Sequence, residues 1–219
     1  LNKVRKDTNE VTNPLKPVNP SKDVTVKVGG ESVNGRSIYK GRSFLYQLDS
    51  SILPANRTYP QVDKWDIVDS LDPAFDEYTG QWAVYATRDL LSGGEALASK
   101  GDRIAGSGFD SSKLGGDLFT LSAATVDGRN VVTIEATDRY RALVSDDSHE
   151  AGWRAYIQCK RLAVTDRHEN QFTEHYNDKT LESNVVWTRT PDMTRASTSR
   201  SGTASPAGRT ATATIRRTL

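Results

Sequence analysis

The chain has 219 residues, 36% of them hydrophobic, with a mean hydropathy of −0.60 and a net charge of +1. This is enough for one large domain with or without tails, and no apolar run approaches the roughly 20 residues of a membrane span, so no membrane insertion by this segment is expected. A single cysteine, Cys159, excludes an intramolecular disulfide and a cysteine-based zinc site.

Charge is unevenly spread. Arg195, Arg200, Arg209, Arg216 and Arg217 face no acid between residues 194 and 219, so subtracting their +5 from the net +1 leaves −4 on residues 1 to 193. A basic nucleic-acid binder is therefore not expected. No leader pattern is visible at the N-terminus, and the chain reads as a segment of something longer.

Residues 1–20 are polar and carry Pro14, Pro17 and Pro20, the spacing of an extended linker. Residues 22–28 alternate and stop at Gly29-Gly30, which predicts a strand and a turn. Residues 36–48 predict one or two strands broken near Gly41. After a loop with Pro54 and Pro60 come short strands at 65–69 and 81–88. Residues 92–117 hold seven glycines and read as irregular, with a short helical piece at 95–99.

Residues 118–126 and 130–136 form a predicted hairpin about Asp127-Gly128, a favoured turn dipeptide. A short helix is expected over 138–144. Strands follow at 153–164, 172–176 and 185–190. About nine strands with no helix alternation predict an all-β, immunoglobulin-like β-sandwich. Its domain would span residues 21–191, and residues 192–219, rich in Ser, Thr, Ala and Arg, would be a disordered tail.

Three polar residues stand in phase with apolar ones. Lys22 shares a strand face with Val24 and Val26, Asp69 with Trp65 and Ile67, and Asn184 with Val186. Burying them unpaired is costly. In an apolar surround the Lys amine loses its proton more readily and the Asp carboxyl holds its own more tightly. A neutral amine can attack a carboxamide carbon while the acid relays protons, leaving an amide and free ammonia. The same phase is met by a buried Lys–Asp ion pair with Asn as a hydrogen-bond neighbour, or by Lys22 reaching out to water, and periodicity alone favours those readings.

Other chemistry is weaker. Asp63, Asp66, Asp69, Asp72, Asp76 and Glu77 form an acidic segment in which Asp72 and Asp76 are calcium candidates, without EF-hand spacing. No carboxylate pair across a cleft is identifiable for glycoside hydrolysis. Cys159 lies in an apolar alternating stretch and is expected to be an inert core residue, although His149, His168 and His175 are present in the chain. Trp65, Trp82, Trp153 and Trp187, with eight tyrosines, could supply a sugar-binding platform, which makes a carbohydrate-binding sandwich without self-chemistry the alternative function.

Four segments in order settle the balance. They are Asn19-Pro20-Ser21-Lys22-Asp23-Val24-Thr25; Val68-Asp69 with Asp76-Glu77-Tyr78-Thr79-Gly80; Tyr156-Ile157-Gln158-Cys159-Lys160-Arg161-Leu162-Ala163-Val164; and Ser183-Asn184-Val185-Val186-Trp187-Thr188-Arg189-Thr190-Pro191. With them the chain resembles, from about Asn19 to Pro191, the C-terminal domains of the streptococcal antigen I/II family of cell-wall adhesins. The resemblance implies a variant immunoglobulin-like sandwich with a spontaneous Lys–Asn isopeptide bond between first and last strands, assisted by Asp. By position these are Lys22, Asn184 and, as proton handler, Asp69. It further implies an extracellular module on a bacterial surface, part of a longer anchored protein. Its partners would be neighbouring domains of that protein and a host glycoprotein or surface glycan; it would need no cofactor and turn over no external substrate. The Gly-rich stretch at 89–117, Ser70 after Asp69, and the basic tail depart from the family pattern.

Overall fold

The computed structural model describes residues 19–109 and 118–194; most of the expected linker and tail lie outside the described residues. The described residues form fourteen strands and one helix. These are β1 (Ser21–Thr25), β2 (Ser43–Asp49), β3 (Trp65–Leu71), β4 (Asp76–Ala86), β5 (Leu90–Ser92), β6 (Glu95–Ala98) and β7 (Arg103–Gly106). Then come β8 (Phe119–Val126), β9 (Arg129–Ala136), α1 (Asp138–Ser145), β10 (Trp153–Arg161), β11 (Thr165–Asn170), β12 (Phe172–Tyr176), β13 (Lys179–Glu182) and β14 (Val186–Thr190).

Two five-stranded antiparallel sheets, ordered β1-β2-β10-β4-β7 and β13-β12-β3-β9-β8, face each other as a β-sandwich. Period-two patterning builds the facing layers: Phe44, Tyr46, Leu48, Ala155, Ile157 and Cys159 come from one sheet, and Trp65, Ile67, Val132, Ile134 and Phe172 from the other. Aromatic rings fill one end. The Trp65 and Trp153 rings lie 6.0 Å apart, and Phe119 stacks at 4.8 Å on Trp153 and 4.5 Å on Tyr140. Tyr140 and Val144 are the inward residues of α1, whose first turn is capped by Thr137.

The hairpin turn at Asp127-Gly128 has φ of 49° and 74°, the two positive angles of a type I′ turn. Several expectations change. Residues 95–98 are a strand pairing with β5, since Gly93-Gly94 makes a tight reversal there. The long run 153–164 ends at Arg161, and β11 begins at Thr165. Val26 lies beyond β1 and is 62% exposed, so the inward phase stops at Val24.

β11 and β14 form a separate two-stranded ladder. On its other side β14 is met by residues 35–38: Gly35 N–H donates to Trp187 O at 2.7 Å and Ile38 N–H to Arg189 O at 2.9 Å. This ladder brings the C-terminal part of the domain beside β1.

Candidate functional site

Lys22 on β1 and Asp69 on β3 belong to different sheets and meet inside the sandwich. The Lys22 Nζ and Asp69 Oδ2 are directly paired, and neither side chain has any solvent-exposed surface. The Nζ lies 4.3 Å from the centroid of the Tyr46 ring and 5.7 Å from that of Phe172. Burial lowers the pKa of Lys22, against the pull of Asp69. Burial raises that of Asp69, against the opposing pull of Lys22. Both shifts favour the neutral amine and the neutral acid.

Asn184 is not the buried amide of this site. It precedes β14, is exposed, and spends its carboxamide on the main chain of Lys22: Lys22 N–H donates to its Oδ1 at 2.8 Å, and its Nδ2 donates to Lys22 O at 3.0 Å. It completes the outer edge of β1 as a neighbouring strand would, and so fixes the Lys22 backbone. The expected phase failed because strand pairing begins only at Val186, two residues later.

The amide that reaches the interior is Asn170, the last residue of β11. It is buried, and its side chain lies close enough to Asp69 to add to the pull of Lys22 against the rise in the Asp69 pKa that burial causes. Yet Asn170 Nδ2 and Asp69 Oδ1 are both buried without a well-formed hydrogen bond among the described residues. The two atoms thus face each other's side chains in the same buried cluster, where leaving either of them unpaired is costly. Register explains the position: Phe172 on β12 lies opposite Asp69, and Asn170, two residues earlier, keeps the same inward phase. His168, Asn170, Phe172 and Glu174 are all buried, an unbroken alternation hidden in the sequence by its polar members.

A second polar cluster adjoins the first. Asp76 accepts from Tyr46 Oη at 2.7 Å, from Arg161 Nε at 3.0 Å, and is 2.8 Å from His168 Nε2. Arg161 is fully buried and also donates to Thr190 Oγ1 at 2.9 Å and Thr188 Oγ1 at 2.8 Å. Burial pushes the Asp76 carboxyl up, but the His168 hydrogen bond and the Arg161 charge outweigh it and hold the pKa low. The group thus ties β2, β4, β10, β11 and β14 together behind the Lys22 site.

This overturns Asp76 as a calcium ligand, because its carboxylate is committed to Arg161, Tyr46 and His168. Asp72 caps its own turn through Ala74 N–H at 3.0 Å. No group of three or more His, Cys, Asp or Glu among the described residues is placed to hold a metal. Cys159 is fully buried and burial pushes its thiol pKa up, the condition of an unreactive thiol. Trp65 and Trp153 are core residues, while the half-buried Trp187 packs its ring 4.5 Å from the Arg167 guanidinium.

Comparison with known proteins places the chain in a family. A family model described as cell surface antigen C-terminus matches residues 19–191. The aggregation substance of Enterococcus faecalis is 33% identical over 189 residues, which is 84% of this chain and 13% of that protein. The C-terminal domain of the Streptococcus pyogenes antigen I/II-family protein AspA superposes with a TM-score of 0.67 at 25% identity, over 79% of this chain and 47% of that one. The C-terminal domain of the Streptococcus agalactiae antigen I/II polypeptide BspA gives 0.66 at 22% identity, over 79% and 50%. The chain therefore spans a small part of its curated relative and about half of the solved C-terminal regions. No described helix is long and apolar enough to cross a membrane. The chain belongs to the family of C-terminal domains of cell surface antigens and is an extracellular, cell-surface domain.

Proposed function

We propose that this domain is a load-bearing module of a surface adhesin that cross-links itself once, through an amide between Lys22 and Asn170. The observation that carries the reading is the enclosed Lys22–Asp69–Asn170 cluster, with its orphaned Asp69 Oδ1 and Asn170 Nδ2. The neutral Lys22 Nζ attacks Asn170 Cγ while the Asp69 acid gives its proton to the amide oxygen. The amine proton then passes through Asp69 to Nδ2. As the Cγ–Nδ2 bond breaks and ammonia leaves, the hydroxyl on Cγ returns its proton to Asp69 and becomes the carbonyl again, so a Cγ–Nζ amide and a neutral Asp69 remain. Tyr46 and Phe172 keep water out, and Asn184 holds the Lys22 main chain in place.

The product is the fold itself, with no external substrate. Neighbouring domains of the same adhesin and a host glycoprotein or glycan are its proposed partners, and the domain holds them by carrying force.

Intact-mass spectrometry tests the reading. The folded chain should weigh one ammonia less than its sequence, and the linked peptide pair should contain Lys22 and Asn170. Asp69→Ala and Asn170→Ala should each restore the full mass. Asn184→Ala should still lose ammonia, only more slowly. A full-mass wild-type chain refutes the cross-link; a peptide pair joining Lys22 to Asn184 refutes the assignment to Asn170.

A further inference from the structure

We propose that the outer edge of β8 is a self-association surface, on which two copies of this chain pair β8 to β8, antiparallel, about Ala123. A sandwich of two open sheets has four edges, and unpaired strand edges invite pairing unless they are blunted. Three of them are blunted here. The β1 edge is closed by the Asn184 carboxamide and by Val33 N–H, which donates to Val24 O at 2.7 Å. β7 has four residues and ends at Gly106 with φ 125°. β13 also has four residues and carries Lys179 and Glu182 at its ends.

β8 has none of these devices. Its eight residues, Phe-Thr-Leu-Ser-Ala-Ala-Thr-Val, include no charge, proline or glycine, and its pairing with β9 runs without a bulge. Residues 122–126 are exposed on both faces, so the outer half of the hairpin stands clear of the sandwich. Among the described residues β8 is paired only with β9.

The turn fixes which groups are open. In a two-residue hairpin the residues flanking the turn, here Val126 and Arg129, exchange both main-chain hydrogen bonds. Val126, Ala124, Ser122 and Thr120 therefore bond to β9, and Thr125, Ala123 and Leu121 direct their N–H and C=O outward. Two identical edges can bond only by matching outward residues with outward residues. A two-fold axis at Ala123 does so, pairing Ala123 with itself and Leu121 with Thr125. On the alternate positions Ser122 meets Ala124 and Thr120 meets Val126, small against small and β-branched against β-branched. No like charges oppose each other, so a second copy fits this edge; an isologous contact of this kind closes at two.

Sedimentation of the full chain over a range of concentrations should show a monomer–dimer equilibrium. Ala123→Pro removes one outward N–H and leaves the β9 ladder intact, so it should give a monomer with unchanged circular dichroism. Under mild oxidation Ala123→Cys should form a disulfide dimer, because the self-paired Cα atoms would lie about 5.5 Å apart. Ala124→Cys should not, since Ala124 meets Ser122 of the other copy. A wild-type chain that stays monomeric overturns the proposal, including one whose residues 110–117 or terminal segments cover β8. So does a dimer that survives Ala123→Pro, or equal cross-linking at 123 and 124.

Discussion

Glu174 shows what a single inward polar residue costs this fold. It is fully buried, its Oε1 accepts Ser51 N–H at 2.9 Å and Trp65 Nε1–H at 2.8 Å, and its Oε2 takes the Ser51 hydroxyl. Burial raises its pKa; the bonds from Ser51 and Trp65 offset that only in part. Linkage fixes the sign. The folded state holds this proton more tightly than the unfolded state, so stability falls as pH rises from the unfolded value through the folded one. Glu174→Gln keeps the acceptor for both N–H donors, and its amide can donate to Ser51 Oγ. Thermal melts from pH 4 to 8 should therefore show the variant gaining on the wild type as pH rises and overtaking it at neutral pH. A variant less stable than wild type at every pH would show that the carboxylate is needed as a charge. Asp69 follows the same sign, whereas Asp76, held low by His168 and Arg161, stabilises above the ordinary carboxylate range and loses that contribution in acid.

At the scale of elements, local signals did much of the positioning. The β8–β9 turn, the phase of β3 that turns Trp65, Ile67 and Asp69 inward, and α1 were legible because turn chemistry and period-two patterning are local. The third member of the cluster was not. Asn184 matched an apolar phase in sequence, but a residue outside the ladder obeys no strand phase, while Asn170 stood in a run of polar residues that reads as loop. What buries it is the pairing of β12 with β3 and of β11 with β14, both non-local. Likewise Arg161 ends an apolar strand and reads as a surface residue until Asp76, Thr188 and Thr190 surround it. Gly106, at the end of β7, is a local signal whose importance only packing reveals. Its φ is 125°, and a Cβ there would stand 2.4 Å from Trp82 O and 2.5 Å from Ala83 Cα, both backbone atoms that cannot turn aside. Gly106→Ala should detach β7 from β4 and cost about 2–3 kcal/mol in urea unfolding, from backbone strain and lost pairing. A change under 0.5 kcal/mol, about the size of an ordinary surface substitution, would mean that β7 contributes nothing to the sandwich.

For the whole molecule, the position of the proposed cross-link decides how the domain would bear load. A bond from Lys22 to Asn170 closes a loop of 148 residues (170 − 22). If loop-closure entropy transfers from disulfides, this adds roughly 5 kcal/mol of stability. The mechanical consequence is separable from that figure. With this bond in place, force applied at the two chain ends would enter through β1 at Lys22, cross the amide to Asn170 and leave along residues 171–190. β2 to β10 lie inside the covalent loop and carry none of it along their backbone. β12, β13 and β14 lie outside, so they can be peeled from β3 and β11 while the loop stays shut. Single-molecule pulling of the wild-type chain should therefore release about 20 residues, or roughly 70 Å, before a hard stop. Lys22→Ala should release the hidden loop as well, a further extension on the order of 500 Å. If Asn184 were the bonded residue, residues 171–184 would also be shielded and the first release would shrink to a few residues. A wild-type trace that extends as far as Lys22→Ala would remove the bond from the description altogether.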